Sequence, residues 1–208
     1  MTDLKTNERR PDILEVISDL SNDEVFTPPA VANAMLDLLP AEVWTDPTLR
    51  WLDPGAKTGV FPREITRRLL DGLAKEIPDE DERLRHILTN MVFGIAITEL
   101  TAQISRRSVY CSKDASSQHS VVKMSTGAGN IWFNRVEHSY TNGRCRECGA
   151  SEEQMEKVNR DNHAYAFIHK TGREAVEGDM SMKFDVIVGK PPYQMTGGGG
   201  GPNDTPLY

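Results

Sequence analysis

Apolar residues recur along the chain in two spacings, one typical of helices and one typical of buried strands. Helical spacing places the apolar side chains of Val31–Leu39 and of Val60–Leu73 on one face. Short strands are predicted at Arg50–Asp53, Met91–Ile97 and Phe184–Val188, and the second is a continuous apolar run, as expected for a strand buried on both faces of a parallel sheet. This alternation predicts a doubly wound α/β fold, in which ligands bind beyond the carboxyl ends of the strands.

Local signals refine the predicted elements. Thr27 is a candidate N-cap for the first helix, because two prolines follow it at positions suited to a first turn. Further helices are predicted at Leu84–Asn90 and Glu99–Arg107. Hairpin strands are predicted at Ser120–Met124 and Asn130–Val136, in a stretch where the helical and buried-strand spacings are lost.

The change in the spacing of apolar residues divides the chain into three parts. Residues 1–107 carry N-terminal helices and the first half of the α/β domain. Residues 108–155 form an insert rich in Ser, Gly and Asn that contains all three cysteines. Residues 156–208 continue the α/β domain and stop soon after the last predicted strand, so the domain is expected to be incomplete at its C-terminus.

Charge and hydropathy narrow the class of protein. The chain has 24 Lys and Arg against 31 Asp and Glu, a net charge of −7, which argues against a broad phosphate-binding surface. No apolar run approaches the roughly 18–20 residues of a membrane span, and the polar N-terminus predicts no signal peptide. We therefore expect a cytoplasmic protein without membrane contact, in which a Cys-x-x-Cys pair indicates a metal before a disulfide.

The first loop of interest runs from Asp53 to Phe61, directly after a predicted strand. It is not a P-loop, because Ala56 stands before Lys57 where that motif needs glycine, and the dinucleotide pattern of three glycines is also absent. Gly59 would let the backbone approach a ligand closely. Asp53, at the end of the strand, could accept a hydrogen bond from an ammonium group.

A second loop, Gly189-Lys190-Pro191-Pro192-Tyr193, follows the last predicted strand. Together the two loops resemble motif I (Asp-Pro-Ala-Cys-Gly-Ser-Gly) and motif IV ((Asn/Asp/Ser)-Pro-Pro-(Tyr/Phe)) of amino-methylating DNA methyltransferases. Phe26-Thr27-Pro28-Pro29 resembles their motif X, and the order X, I, IV is that of the γ class. More narrowly, the chain resembles the Eco57I-type DNA adenine-N6 methylase domain of restriction–modification systems.

The resemblance implies a Rossmann-like, S-adenosylmethionine-dependent methyltransferase fold. It implies that the cofactor's methionine end lies near motifs X and I, and Glu99 is a shifted candidate for its ribose because Ala96 and Thr98 occupy the usual acidic positions. It also implies that the second loop binds an adenine flipped out of the duplex. The implied cofactor residues are Thr27, Pro28, Asp53, Pro54, Gly55, Gly59, Phe61 and Glu99, and the implied catalytic residues are Lys190, Pro191, Pro192 and Tyr193.

Lys190 departs from the family pattern at the decisive position. In the family, the side-chain oxygen there and a proline carbonyl accept hydrogen bonds from the target amine. A lysine ammonium offers only donors, and its charge opposes the positive charge that develops on the amine. We therefore predict that this chain transfers methyl groups poorly.

The cysteines predict a structural zinc site in the insert. Cys145-x-x-Cys148-Gly has the spacing of a metal knuckle. With Cys111 and His138 it would complete a tetrahedral Cys₃His set, for which His119 is a rival histidine. The alternative is that these cysteines are structural thiols without a metal.

Three functions stay open from the sequence. The first is a DNA adenine-N6 methyltransferase that contacts double-stranded DNA mainly through a C-terminal recognition domain absent from this chain. The second is a non-catalytic methylase remnant that keeps the fold and binds cofactor or DNA, which Lys190 favours. The third is a zinc-dependent nucleic-acid-binding protein, and the acidic net charge counts against it.

Overall fold

The structure is a computed structural model that describes residues 26–96, 99–133, 138–147, 149, 151–153 and 183–190. The predicted catalytic residues Pro191, Pro192 and Tyr193, and the predicted zinc ligand Cys148, lie outside the described residues. Within the described part, no helix is long and apolar enough to cross a lipid bilayer.

The described elements alternate between helical segments and strands as far as the third strand, after which three further strands follow. The α-helices are α1 (Pro29–Leu36), α2 (Val60–Gly72), α3 (Glu80–His86) and α4 (Glu99–Tyr110), with a 3-10 turn at Ala41–Trp44 and a π-helical turn at Ile87–Met91. The strands are β1 (Trp51–Ala56), β2 (Val92–Ala96), β3 (Ile131–Trp132), β4 (Tyr140–Thr141), β5 (Arg144–Cys145) and β6 (Val186–Ile187).

Four parallel strands form the main sheet, in the order β3-β2-β1-β6. The register pairs Trp51 with Val92 on one side and with Val186 on the other. The chain therefore moves outward from β1 to β3 and then returns to the opposite side of β1. This reversal makes a topological switch point between β1 and β6, the place where open α/β sheets bind ligands. The parallel α/β architecture predicted from the sequence is confirmed.

The main hydrophobic core lies between β1, α1 and α2. Trp51, Leu36 and Leu69 are fully buried there, and Ile65 is nearly so. The amphipathic pattern of α2 explains this packing, because its apolar side chains recur every three to four residues. The core fixes α2, and therefore the loop before it, against the carboxyl half of β1.

Three local predictions around α1 and β1 are wrong. Thr27 does not cap α1: the N-cap is Pro28 and no side chain supplies a capping hydrogen bond. The apolar stripe of α1 is also narrower than predicted, because Leu38 is 84% exposed beyond the end of the helix. Strand β1 runs on to Ala56, through the proline predicted to end it, because the register with β2 shifts between Asp53 and Ala56. Proline has no N–H to donate, and such irregularities are where strands accommodate it.

The predicted hairpin after α4 is also wrong. Ser120–Met124 is not a strand, and Ile131 joins the main sheet as part of β3, parallel to β2. Burial explains the difference, since Ile131 packs in a cluster with Tyr110 and Val122, and the Tyr110 hydroxyl accepts a hydrogen bond from the Asn130 amide at 2.9 Å. Residues 111–133 therefore pack on the α/β domain. The division of the chain at residues 108 and 155 stays a prediction.

The antiparallel hairpin of the described residues lies further on, at β4 and β5. Its turn is Asn142-Gly143, and both residues have positive φ, 53° and 72°. This pair of angles is that of a type I′ turn, for which Asn-Gly is the strongest short sequence signal. The hairpin was therefore visible in the sequence and was missed.

Candidate functional site

Asp53 is a buried acid in the middle of β1, directly before the register shift with β2. Only 3% of the residue is exposed, and its Oδ1 accepts a hydrogen bond from the Gly55 amide at 3.1 Å. Burial raises the pKa of Asp53 to about 7, although the Gly55 hydrogen bond acts in the opposite direction. Within the described residues, its carboxylate faces no cationic partner. Such an acid favours a ligand that brings a positive charge.

The loop after β6 touches this acid directly. A Cβ placed on Gly189 would lie 2.5 Å from Asp53 Oδ1 and 3.1 Å from Pro54 Cδ, so only glycine fits without a shift. The approach is fixed by pairing, because the Val188 amide donates to the Leu52 carbonyl at 2.9 Å. Lys190 follows immediately. The two loops singled out in the sequence thus meet at the switch point of the sheet.

Helix α4 holds the loop that connects β1 to α2. Gly59 is the N-cap of α2 with a φ of 74°, and a Cβ there would lie 2.9 Å from the Cα of Ser105. The Ser105 hydroxyl donates to the Lys57 carbonyl at 3.2 Å, and the Ser108 hydroxyl donates to the Thr58 carbonyl at 2.6 Å. These two serines were not predicted, since no local pattern marks a serine that reaches a distant loop.

The other predicted cofactor residues have different surroundings. Thr27 is 8% exposed and precedes α1, whereas Phe61 is buried in the main core beside Ile65. Glu99 is exposed at the start of α4, on the carboxyl side of β2 and so at the same edge of the sheet as Asp53. Pro54 and Gly55 lie within β1. Their contacts with a cofactor stay predictions.

Three of the predicted zinc ligands, Cys111, His138 and Cys145, lie within the described residues, and they do not form a group. Cys111 is exposed with a φ of 60°, Cys145 is buried in β5, and His138 stacks on Tyr140 with ring centroids 5.8 Å apart. Over the described ranges, no three His, Cys, Asp or Glu side chains lie together as a possible metal site. The topology explains why Cys111 lies apart from Cys145 and His138. Cys111 follows the end of α4, toward the amino ends of the strands, whereas the hairpin follows the carboxyl end of β3.

Comparison with known proteins gives two matches. The family model of the Eco57I restriction-modification methylase matches residues 90–202, a range that includes the second loop and all three cysteines. An uncharacterised adenine-specific methylase of Mycoplasma pneumoniae is 37% identical over 220 residues. That alignment covers 95% of this chain, including the Asp53 loop, and 52% of the relative. The chain thus spans about half the length of the curated relative that it matches.

Proposed function

Because this chain belongs to the Eco57I restriction-modification methylase family, we propose that it transfers a methyl group from S-adenosylmethionine to the N6 amine of adenine in DNA. The observation that carries the proposal is the contact between Gly189 and the Asp53 carboxylate. It joins the loop that would hold the methyl donor to the loop that would hold the base. Methyl transfer needs this proximity, because donor and acceptor atoms must be held in contact.

The chemistry of the first loop suits S-adenosylmethionine. The Asp53 carboxylate is buried with a single backbone donor among the described residues, so an incoming methionine ammonium would satisfy it. Gly59 supplies the positive φ of this turn and packs directly against Ser105 of α4, and the amides at the start of α2 could bind a carboxylate. When bound, S-adenosylmethionine supplies the electrophilic methyl group. We propose Thr27 and Pro28 as the cover of its methionine end and Glu99 as the acceptor for its ribose hydroxyls.

The second loop would receive the base. A proline carbonyl in Lys190–Pro192 would accept from the adenine amine, and Tyr193 would stack on the flipped ring. Double-stranded DNA is therefore the proposed partner, with sequence recognition assigned to a separate domain. Lys190 contributes no acceptor at the position where the family has one. We propose that it slows methyl transfer in this chain.

A methyl-transfer assay tests the proposal. DNA free of N6-methyladenine is incubated with the chain and radiolabelled S-adenosylmethionine, and N6-methyladenine is quantified. We expect slow transfer by the wild type and an increase of at least about tenfold in Lys190→Asn, which restores an acceptor worth roughly one tenfold step in rate. Lys183→Asn, at an exposed lysine before β6, is the matched control and should leave the rate unchanged. Ordinary turnover by the wild type would contradict the role given to Lys190.

Lys190 also favours a second function, a methylase remnant that binds cofactor or DNA without catalysis. This reading predicts cofactor binding by the wild type and no methyl transfer by either the wild type or Lys190→Asn. The same assay, combined with a binding measurement, therefore separates the two functions.

We further propose a structural zinc ion at the cysteine hairpin, held by Cys145 and Cys148 with His138. Support comes from the Cys-x-x-Cys-Gly spacing and from the turn itself, in which the Gly149 amide donates to the Cys145 carbonyl at 2.9 Å. Cys111 is not retained as a ligand, since it does not join Cys145 and His138 in a group over the described ranges.

A further inference from the structure

Helix α2 carries a buried glutamate that the proposed chemistry does not use. The side chain of Glu64 is only 3% exposed. Two arginines of the same helix compensate its charge: Arg63 lies 2.8 Å from Oε1 and Arg67 lies 3.1 Å from Oε2. A buried carboxylate is costly unless it is paired and hydrogen-bonded, so this position tolerates Glu64 only because such partners surround it.

The remaining contact of Glu64 reaches another helix. Asn33 of α1 donates from its Nδ2 to Glu64 Oε2 at 3.0 Å. The same amide nitrogen also donates to the carbonyl of Pro29, again at 3.0 Å. Asn33 therefore links the first residue of α1 to the buried acid of α2.

Through the Pro29 carbonyl, this link reaches the first residue of α1, next to the segment proposed to cover the cofactor. Pro29 directly follows Thr27 and Pro28, and Glu64 lies five residues after Gly59, about 7.5 Å along the axis of α2. The segment proposed to cover the methionine end is thus joined to the helix that starts at the loop beneath it. Arg68 of α2 makes a second link: its Nη2 lies 2.6 Å from Asp37 Oδ1, just beyond the end of α1, and also donates to the Oδ1 and the carbonyl of Asn33 at 3.0 and 3.1 Å.

We infer that Glu64 and Asn33 are positioning residues for the cofactor: their contact sets the distance between the Thr27-Pro28 cover and the Gly59 loop. The inference rests on the proposed function. It requires that loosening the contact weaken binding of the methionine end and leave binding of the adenosine end unchanged.

The test compares two ligands on the full 208-residue chain by calorimetry. S-adenosylhomocysteine carries the amino-acid end, and 5′-methylthioadenosine lacks it. For Glu64→Gln and for Asn33→Ala we expect the Kd of S-adenosylhomocysteine to rise about tenfold, the size of one hydrogen bond to a charged group. The Kd of 5′-methylthioadenosine should stay within about twofold, since no bond to it is removed.

Asp37→Ala is the matched control, because it removes an α1–α2 contact of Arg68 and leaves the hydrogen bond between Asn33 and Glu64 in place. It should lower the melting temperature in the same direction as Asn33→Ala while leaving both Kd values unchanged. Equal weakening of the two ligands, or weakening that follows the melting temperature across all three variants, would overturn the inference. If the wild type binds neither ligand, the proposed function fails instead, so the two failures are distinguishable. Asn33→Ala keeps the test decisive should Glu64→Gln fold poorly.

Discussion

The carboxyl edge of the main sheet and the cysteine hairpin are assembled in different ways. At the edge, Asp53 and Gly189 come from distant parts of the chain and are brought into contact by the parallel pairing of β1 with β6. The hairpin is local: β4 and β5 are joined by Asn142-Gly143 and form a two-stranded sheet, and Arg144 of β5 adds a single antiparallel bridge to the nearby Ser151. The edge is therefore held by the core of the domain, whereas the hairpin depends on its turn.

Burial follows the same division. Asp53, Gly55 and Gly59 are buried at the sheet edge, while most of the hairpin from Thr141 to Glu147 is exposed apart from Cys145. A buried acid in a rigid surrounding is preorganised for a charged ligand. An exposed hairpin gains rigidity from a bound ion when it has too little core of its own. Substitutions in the two regions should consequently have different effects.

The largest effect is expected from Asp53→Asn. Removing the charge loses a charge-assisted hydrogen bond to the cofactor ammonium. Such a bond contributes about 3 kcal/mol to binding, so its loss should raise the Kd of S-adenosylhomocysteine about 100-fold. Asp185→Asn is the control, because Asp185 accepts a hydrogen bond from the Arg50 amide at the other end of the sheet. Calorimetric titration of both variants checks this, and equal Kd values would contradict the role of Asp53.

Gly189→Ala should follow in size. The added methyl would lie 2.5 Å from Asp53 Oδ1, so the loop must move. Overpacking of this kind costs about 2 kcal/mol, which should raise the Kd of S-adenosylhomocysteine about 30-fold. Gly143→Ala makes the same chemical change in the hairpin, where no atom lies within 4 Å of the new Cβ but φ is +72°. It should lower stability and leave the Kd unchanged. Equal Kd values for Gly189→Ala and Gly143→Ala would contradict the difference between the sheet edge and the hairpin.

The pKa of Asp53 predicts a pH dependence at the sheet edge. Because this pKa is raised to about 7, Asp53 is mostly protonated at pH 6, and binding an ammonium then requires loss of that proton. The affinity for S-adenosylhomocysteine should therefore rise about tenfold from pH 6 to pH 8. The ligand-free folded state holds this proton more tightly than the unfolded state. Its free energy of unfolding should thus fall as the pH rises from about 4 to about 7.

Asp53→Asn serves as the control for both pH profiles, since an amide does not titrate in this range. In this variant, calorimetry and thermal unfolding should show that neither the affinity for S-adenosylhomocysteine nor the free energy of unfolding keeps the pH dependence assigned to Asp53. A wild-type affinity that falls between pH 6 and pH 8 would contradict the assignment of the ligand's ammonium to Asp53.

The smallest effect on the cofactor is expected from the hairpin. Cys145→Ser should reduce bound zinc from one ion per chain to none, measured by atomic absorption, because a hydroxyl is a poor zinc ligand. Cys111→Ser, at an exposed residue, should leave the zinc content unchanged. Both variants should bind S-adenosylhomocysteine like the wild type. Zinc-free wild-type protein would show that the hairpin holds no metal.

The sequence predicted the edge better than the hairpin, for a physical reason. Continuous apolar runs mark buried parallel strands, and the carboxyl ends of such strands meet at one edge, so the meeting of the two loops followed from the pattern. The register shift at Pro54 and the serines of α4 that hold the first loop depend on tertiary contacts that no local pattern encodes. Within the described residues Cys111 does not lie in one group with His138 and Cys145, and cysteine spacing alone does not show which edge of the sheet each cysteine reaches.

Titration of the wild-type chain with S-adenosylmethionine tests the central claim most directly. The account predicts one bound molecule per chain, displaced by S-adenosylhomocysteine and bound about 100-fold more weakly by Asp53→Asn. The absence of any binding by a chain that circular dichroism shows to be folded would contradict it.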